Sequence, residues 1–160
     1  MPHINELYDY TVSFFVLHPT EPKICLHFHK KLGFWNNLGG HIELDEDPLE
    51  TLEKELYEES GLKPENYTII ETHQGPSGIG VKELPNPFGL HMYKYGDKNH
   101  WHIDMPYIIK SKTAVLQPLE GESQQIDWFD IPAIQDMSKN KQVDPSTLKI
   151  CEWIADKHFD

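Results

Sequence analysis

The first thirty residues combine apolar and polar positions with the two-residue period of strands. Residues 8–18 are rich in β-branched and aromatic side chains and stop at Pro19, which predicts a strand. Residues 23–29 follow a short turn and predict the returning strand of a hairpin. On this second strand Cys25, His27 and His29 alternate onto one face, where we expect partly exposed side chains rather than a metal site.

A later segment changes to the period of a helix and carries helix signals at both ends. Asp47, Pro48 and Glu50 form a helix start with a capping box, and Gly61 forms a matching stop. The helix between these signals would have about three and a half turns. The residues that we expect to face the core are Leu49, Leu52 and Leu56.

Beyond this helix the pattern predicts further strands, one long loop and two more helices. The predicted strands cover residues 67–72, 90–95, 100–110 and 125–129. The middle two are expected to form a hairpin with a turn at residues 96–99. Residues 75–89 contain too many Gly and Pro residues for a regular element and predict a long loop. The predicted helices cover residues 131–137 and a segment starting at Asp144, whose inward residues would be Leu148, Cys151 and Ile154.

Element order, length and composition together favour a single α/β domain and argue against binding to nucleic acid or membranes. The order of elements indicates an α/β (α+β) fold, and 160 residues fit one domain, which we place at residues 1–160. The net charge of -12 argues against nucleic acid or an anionic membrane as the main partner. Two cysteines are too few for a disulfide framework. Without a signal peptide or a span-length apolar run, we expect a soluble, cytoplasmic protein.

The helix at residues 48–60 also carries a cluster of carboxylates. Glu55, Glu58 and Glu59 are spaced i, i+3, i+4, so they share one flank beside the apolar stripe, where like charges repel. A hard divalent cation would turn this repulsion into binding, since Mg²⁺ and Mn²⁺ prefer carboxylate oxygen. The alternative is an ordinary solvated acidic face. Upstream, Gly39 and Gly40 would let the backbone approach a ligand closely.

The spacing of these residues resembles the Nudix box, Gly-x5-Glu-x7-Arg-Glu-U-x-Glu-Glu-x-Gly-U, in which U is a bulky aliphatic residue. The positions are filled by Gly40, Glu46, Lys54, Glu55, Leu56, Glu58, Glu59, Gly61 and Leu62. The one departure is Lys54, which stands where the family has arginine, and all fourteen basic residues of the chain are lysine. Trp35 also matches a tryptophan that the family commonly has before the box, whereas Asn37 and Leu38 depart from its leucine and proline.

The resemblance implies a mixed, curved sheet between helices, with the box as a loop–helix–loop. It implies hydrolysis of a pyrophosphate bond in a nucleoside diphosphate linked to a further group, with Mg²⁺ or Mn²⁺. The implied metal ligands are Glu55, Glu58 and Glu59 with the Gly40 carbonyl, and Glu55 could instead orient or deprotonate the attacking water. A further glutamate upstream of the last strand would approach the metal, and we choose Glu122 over Glu120.

The resemblance also implies a role for Lys54, which would hold the loop through Glu46; an ordinary pair with Glu50 is the alternative. The expected partner is a small nucleotide, and a homodimer is possible. The alternative function is a catalytically weak nucleotide-binding or regulatory module on the same fold.

The strand predicted at residues 100–110 places His100, His102 and Asp104 on one face, next to Pro106, which we expect to interrupt the strand. Such a face can hold a metal or grip a substrate, and the alternative is a polar outer face of the sheet. Our hypothesis assigns Trp35, His102 and Asp104 to substrate binding.

Overall fold

The structure is a computed structural model that describes residues 7–96 and 99–159. Eight strands of the described residues form one sheet. They are β1 (Tyr8–Leu17), β2 (Ile24–His29), β3 (Phe34–Asn36), β4 (Leu38–His41), β5 (Tyr67–Ile70), β6 (His91–Lys94), β7 (Trp101–Ser111) and β8 (Ile126–Phe129). The helices are α1 (Pro48–Ser60), α2 (Ile131–Lys139) and α3 (Pro145–His158), with a 3-10 turn at Pro64–Asn66.

The sheet is mixed, and β1 lies at its centre. Along its whole length β1 pairs in parallel with β7, whose other edge carries β6 at one end and β5 at the other. On its opposite side β1 pairs antiparallel with β4, while β2 pairs with β3 and β8. The sheet therefore splits on this side of β1: β4 pairs with residues 11–14, and β2 pairs with β1 only at Leu17.

Helices cover both faces of this sheet, because successive strand residues point to opposite sides. Val12, Phe14 and Val16 of β1 pack under α1 with Leu52 and Leu56. On the opposite face, the cluster consists of Phe15, Leu17, Ile24, Leu26, Ile108, Ile134, Val143, Cys151 and Ile154. This arrangement confirms the predicted α/β/α sandwich with a mixed sheet.

The hairpin predicted for residues 8–29 is correct only at its turn. Leu17 pairs with Ile24, and from there β2 leaves β1, which takes β4 and β7 as its neighbours. Cys25 and His27 are buried instead of partly exposed, because the face of β2 that carries them packs toward α1. The β6–β7 hairpin is confirmed, but the centre of its predicted turn, Asp97 and Lys98, lies outside the described residues.

Pro106 does not interrupt its strand, and this expectation was wrong. β7 continues through it from Trp101 to Ser111, because Pro106 lies between the segment paired with β6 and the segment paired with β5. A proline is tolerated where a ladder hydrogen bond on that side is not required. Residues 75–89 have no helix or strand, as predicted, and no helix of the described residues is long and apolar enough to cross a membrane.

Candidate active site

Local sequence fixes the start of α1, as predicted. The Asp47 side chain accepts hydrogen bonds from the N–H groups of Leu49 and Glu50, at 2.8 and 3.0 Å. The Glu50 carboxylate in return accepts from the Asp47 N–H at 2.8 Å. This reciprocal capping box satisfies orphan donors of the first turn, so the register of the carboxylates farther along the helix is fixed.

The end of α1 brings a distant segment to the same place. Gly61 has φ +77°, and a side chain there would collide with the carbonyl oxygen of Gln117. The N–H groups of Gln117 and Leu119 donate to the carbonyls of Ser60 and Glu58, both at 2.8 Å. Residues 117–119 therefore lie along the helix end, and they lead directly to Glu122.

Two of the three clustered glutamates are buried against β4. Glu55 and Glu59 are 9% and 7% exposed, whereas Glu58 is half-buried. The Gly39 N–H donates to Glu59 Oε2 at 2.9 Å. The Glu55 carboxyl occupies the space that a side chain at position 40 would take, because a Cβ on Gly40 would overlap it. The glycine pair thus allows two carboxyls to approach the backbone of β4.

The surroundings of these carboxyls disfavour their charged forms in the metal-free protein. Burial, followed by the charge of Glu58, raises the pKa of Glu55 to about 7. Burial also raises the pKa of Glu59 well above its usual value, with Glu55 and Glu122 adding to the effect. Glu122 therefore lies close enough to both groups for its charge to act on them.

The donor set fits a hard divalent cation. The side chains that pack on Gly39 and Gly40 from α1 present carboxylate oxygens, which Mg²⁺ and Mn²⁺ prefer, and a cation would offset the mutual repulsion that the pKa shifts of Glu55 and Glu59 express. The imidazole of His27 also lies nearby, with Nδ1 3.7 Å from Glu59 Oε1. Burial lowers the pKa of His27 to about 4, so it adds no positive charge at neutral pH.

Lys54 contacts Glu46 and not Glu50. Its Nζ donates to Glu46 Oε1 at 2.8 Å, and the Thr51 hydroxyl donates to Glu46 Oε2 at 2.8 Å. The Lys54 hydrogen bond is also the main reason why the pKa of Glu46 lies below its usual value. Glu46 is thus tied to α1 by both of its oxygens, which fixes the loop before the helix.

An open cleft lies beside Gly39 and Gly40, between the two parts of the divided sheet. Its lining residues are Thr11, Val12, Ser13, His27, His29, Leu32, Asn36, Asn37, Leu38, Gly39, Gly40, His41, Tyr93, Tyr95, His102 and Asp104. The cleft therefore extends from the glycines, against which Glu55 and Glu59 pack, to the polar residues of β1 and β7.

Asp104 lies at the far wall of this cleft in a compact hydrogen-bonded group. Its two oxygens accept from the hydroxyls of Thr11 and Ser13, at 2.7 and 2.6 Å. Burial raises the pKa of Asp104, and the two hydroxyls partly oppose that rise. Next to it, Tyr95 stacks on the ring of His102, with centroids 4.5 Å apart and planes at 8°.

The polar face of β7 points inward, so it is not the outer surface that the alternative interpretation described. His100, His102 and Asp104 are 6%, 3% and 6% exposed. The three residues separate into two groups: Asp104 joins the hydroxyls of β1, while the histidines approach Asp9. Sequence alternation correctly placed them on one face but could not show which strand lies opposite.

Trp35 lies apart from the cleft. Its ring packs edge-on against Phe129 at 5.0 Å, and its backbone pairs with Val143, on the side of the sheet that carries α2 and α3. His102 and Asp104 line the same cleft as Gly39 and Gly40, against which Glu55 and Glu59 pack, whereas Trp35 is not among the lining residues. Residues of the cleft that the sequence did not single out include Thr11, Ser13, His41 and Tyr95.

Comparisons with known proteins agree on one family. The sequence pattern of the NUDIX domain matches residues 9–153. A hydrolase of the NUDIX family from Clostridium perfringens is 29% identical, with 96% of this chain and 98% of that chain covered and a TM-score of 0.74. No curated protein sequence matches this chain.

More distant solved structures share the fold. The NUDIX domain of Shewanella oneidensis NrtR, solved with ADP ribose, is 16% identical, with 96% of this chain and 88% of that chain covered and a TM-score of 0.63. The E. coli dihydroneopterin triphosphate pyrophosphohydrolase is 12% identical, with 93% and 97% covered and a TM-score of 0.64.

Proposed function

The chain belongs to the NUDIX domain family and is a hydrolase of pyrophosphate bonds, and from this premise we propose that it cleaves a nucleoside diphosphate linked to a further group, with Mg²⁺ or Mn²⁺ as cofactor. The observation that carries the proposal is the pair of buried carboxyls, Glu55 and Glu59, packed against Gly39 and Gly40 at the edge of the cleft. Buried like charges at this spacing are costly unless a cation accompanies them.

We assign the cation to Glu58, Glu59, Glu122 and the Gly40 carbonyl, with Glu55 as a further ligand. When bound there, it would neutralise charge on the pyrophosphate and lower the pKa of a bound water. The protein's part is to hold these donors: the Gly39 N–H fixes Glu59, and the segment at residues 117–119 carries Glu122 to the end of α1.

Glu55 has a second use as a proton acceptor. Burial raises its pKa to about 7 in the metal-free protein, and its ionised form can take a proton from the attacking water. The water oxygen then forms a bond to one phosphorus, the bond between that phosphorus and the bridging oxygen breaks, and the other phosphate leaves with the bridging oxygen. Glu46 and Lys54 contribute by ordering the loop between Gly40 and α1.

The opposite wall of the cleft suits the rest of the substrate. This wall offers the ring of Tyr95, which stacks on His102, together with the carboxylate of Asp104, as groups available to a base. Among the structural relatives, one was solved with ADP ribose and another acts on dihydroneopterin triphosphate. The chain has no arginine, so we assign contacts with the phosphates to the cation, lysine and backbone N–H groups.

A substrate panel tests this proposal. Nucleoside triphosphates, dinucleoside polyphosphates, ADP-ribose and sugar nucleotides are each incubated with Mg²⁺, and products are identified by mass spectrometry in ¹⁸O-labelled water. We expect at least one member to be cut at a phosphoanhydride bond, with the label on one phosphate product. Cleavage of none, or label only outside phosphate, would contradict it.

Asp104→Asn tests the substrate-binding wall. Because Asp104 lines the cleft but is not among the carboxylates of α1, the variant should raise KM or change the order of preference in the panel, while the Mg²⁺ requirement stays. Asp136→Asn on the exposed face of α2 is the matched control and should change nothing. An Asp104→Asn enzyme with unchanged KM and unchanged preference would remove Asp104 from the substrate site.

A further inference from the structure

Three histidines and one aspartate converge beside the cleft, on three neighbouring strands. Asp9 of β1 is directly opposite His102 in the parallel β1–β7 ladder, and His100 lies two residues before His102 on the same face. His41 ends β4, which pairs with the other side of β1. Strand pairing therefore sets the separations of Asp9, His41 and His102, and His100 lies immediately before β7.

Three members of this group, Asp9, His100 and His102, lie close enough together to share one ion, and His41 approaches Asp9 beside them. One potential ligand atom from each of Asp9, His100 and His102 lies within 4.8 Å of the others. Asp9 Oδ2 is 3.2 Å from His100 Nε2 and 3.7 Å from His41 Nε2. Zinc bonds of about 2.0–2.2 Å place tetrahedral ligand atoms roughly 3.2–3.6 Å apart.

The orientation of the rings agrees with the same geometry. The rings of His100 and His102 have centroids 5.3 Å apart at 89°, and those of His41 and His102 have centroids 4.8 Å apart at 81°. Imidazoles bound to one tetrahedral ion would have centroids roughly 5 Å apart. A histidine–aspartate hydrogen bond alone accounts for the His100–Asp9 distance, but it does not account for a third ring at the same spacing.

Two tyrosines orient the ring of His102 for metal binding. Its Nδ1 lies 3.2 Å from the Tyr93 hydroxyl, and Tyr95 stacks on its ring. An Nδ1–H that donates to Tyr93 assigns Nε2 to the metal, which is the arrangement by which neighbouring groups orient metal-bound histidines. Asp9, His100 and His102 are almost completely buried, which suits a structural ion more than an exchanging substrate.

We propose that Asp9, His41, His100 and His102 form a second metal site, for Zn²⁺ or a similar first-row transition ion, separate from the glutamates of α1. Three imidazoles and one carboxylate are the ligands of such ions and not of Mg²⁺, which requires an oxygen shell. Because His41 and His102 also line the cleft, the ion would fix the wall that carries Tyr93 and Tyr95. The proposal does not depend on which substrate is cleaved.

Co²⁺ serves as the spectroscopic probe. The full chain is stripped with chelator, supplied with excess Mg²⁺ to occupy the glutamate site, and titrated with Co²⁺ and then Zn²⁺. We expect one Co²⁺ per chain, with the strong visible bands of a four-coordinate ion, and its displacement by Zn²⁺. Weak bands of a six-coordinate ion, or no binding at all, would overturn the proposal.

Variants decide where the ion lies. Asp9→Asn and His100→Asn should each weaken Zn²⁺ affinity at least tenfold, and Tyr93→Phe should weaken it by about tenfold through His102. His91→Asn, a half-buried histidine on β6 outside the group, is the matched control and should bind normally. Glu59→Gln should also keep full Zn²⁺ affinity, even if it abolishes hydrolysis, so the two sites can fail independently.

Equal Zn²⁺ affinity in His100→Asn and the wild type, or loss of Zn²⁺ in Glu59→Gln alone, would place the ion elsewhere and overturn the assignment. If the Asp9 and His100 variants do not fold, X-ray absorption at the zinc edge of the wild-type protein still decides. Four nitrogen and oxygen neighbours with imidazole scattering support the site, and a six-oxygen shell contradicts it.

Discussion

Gly39 and Gly40 are adjacent in β4, yet a side chain at each position would meet a different kind of neighbour. At position 39, a Cβ would overlap the backbone carbonyl of Val12 in β1. At position 40, it would overlap the end of the Glu55 side chain, which can rotate away. Gly39 therefore allows β4 to pair closely with β1, and Gly40 leaves room for the carboxyl of Glu55.

Alanine at these two positions should separate stability from activity. Gly39→Ala should destabilise the fold by about 1–3 kcal/mol, because backbone must move, and this would lower Tm by several degrees. Gly40→Ala should leave Tm nearly unchanged but reduce kcat at least tenfold, since Glu55 is displaced. Thermal melts and steady-state kinetics check both variants. A Gly40→Ala enzyme with wild-type kcat would show that the position of Glu55 is unimportant.

The raised pKa of Glu55 should make the stability of the fold depend on pH. In the folded protein this pKa is about 7, above its usual value of 4.5, so the folded state binds the extra proton between those values. Stability from this group is therefore present below about pH 4.5 and is lost as pH rises toward 7. His27 acts in the opposite direction, because its folded pKa of about 4 lies below 6.5.

The contribution of Glu55 can be isolated with Glu55→Gln. In metal-free protein, the Tm of Glu55→Gln minus that of the wild type should increase from pH 4.5 to 7 and then become constant. His27 is present in both proteins, so its effect cancels to a first approximation. Differential scanning calorimetry in chelator checks this, and a difference that stays flat or falls with pH contradicts the burial of Glu55.

At the scale of elements, the loop before α1 is attached to the helix through Glu46. Lys54 and Thr51 each supply one hydrogen bond to it, where the family's arginine would offer a planar pair of donors. The Lys54 side chain is 39% exposed, so the pair should contribute at most about 1 kcal/mol to stability.

Substitution of Lys54 should therefore affect loop order more than stability. Lys54→Arg should keep activity, and Lys54→Ala should reduce kcat or Mg²⁺ affinity while Tm falls by no more than about 4 °C. Lys149→Ala, at an exposed position of α3, is the control for loss of one charge. If Lys54→Ala matches the wild type in turnover and Mg²⁺ affinity, the contact with Glu46 is only a surface pair.

Elements defined by local sequence were predicted well. The capping box, Pro48 and Gly61 determine α1 within its own residues, so its bounds and the burial of Leu52 and Leu56 were correct, whereas Leu49 is only half-buried. Strand neighbours were not predictable in the same way. β1 and β2 part after one residue pair because β4 and β7 bury the apolar residues of β1, and those strands come from distant sequence.

At the scale of the whole molecule, the cleft combines residues that no local pattern connects. The hydroxyls of Thr11 and Ser13 reach Asp104 across more than ninety positions, and Asp9 reaches His100 and His102 only because β1 and β7 are parallel neighbours. The glutamates were predictable because a spaced motif marks them. Trp35, which we assigned to substrate binding, packs against Phe129 and does not line the cleft; an aromatic residue in a short strand has the same sequence pattern in a core as in a binding site.

The central claim is that the carboxylates of α1 bind the cation that hydrolysis requires, and Glu59→Gln tests it most directly. The measurement is kcat against Mg²⁺ concentration for the wild type and Glu59→Gln on the best substrate of the panel, with circular dichroism in chelator. The cation stabilises the charge of the transition state by several kcal/mol. Loss of this cation in Glu59→Gln should therefore lower kcat at least about 100-fold. The metal-free fold should persist, with unchanged or slightly higher Tm as repulsion is relieved. The account would be contradicted if Mg²⁺ raised kcat of Glu59→Gln as much as it raises kcat of the wild type, or if the wild-type protein lost its fold in chelator.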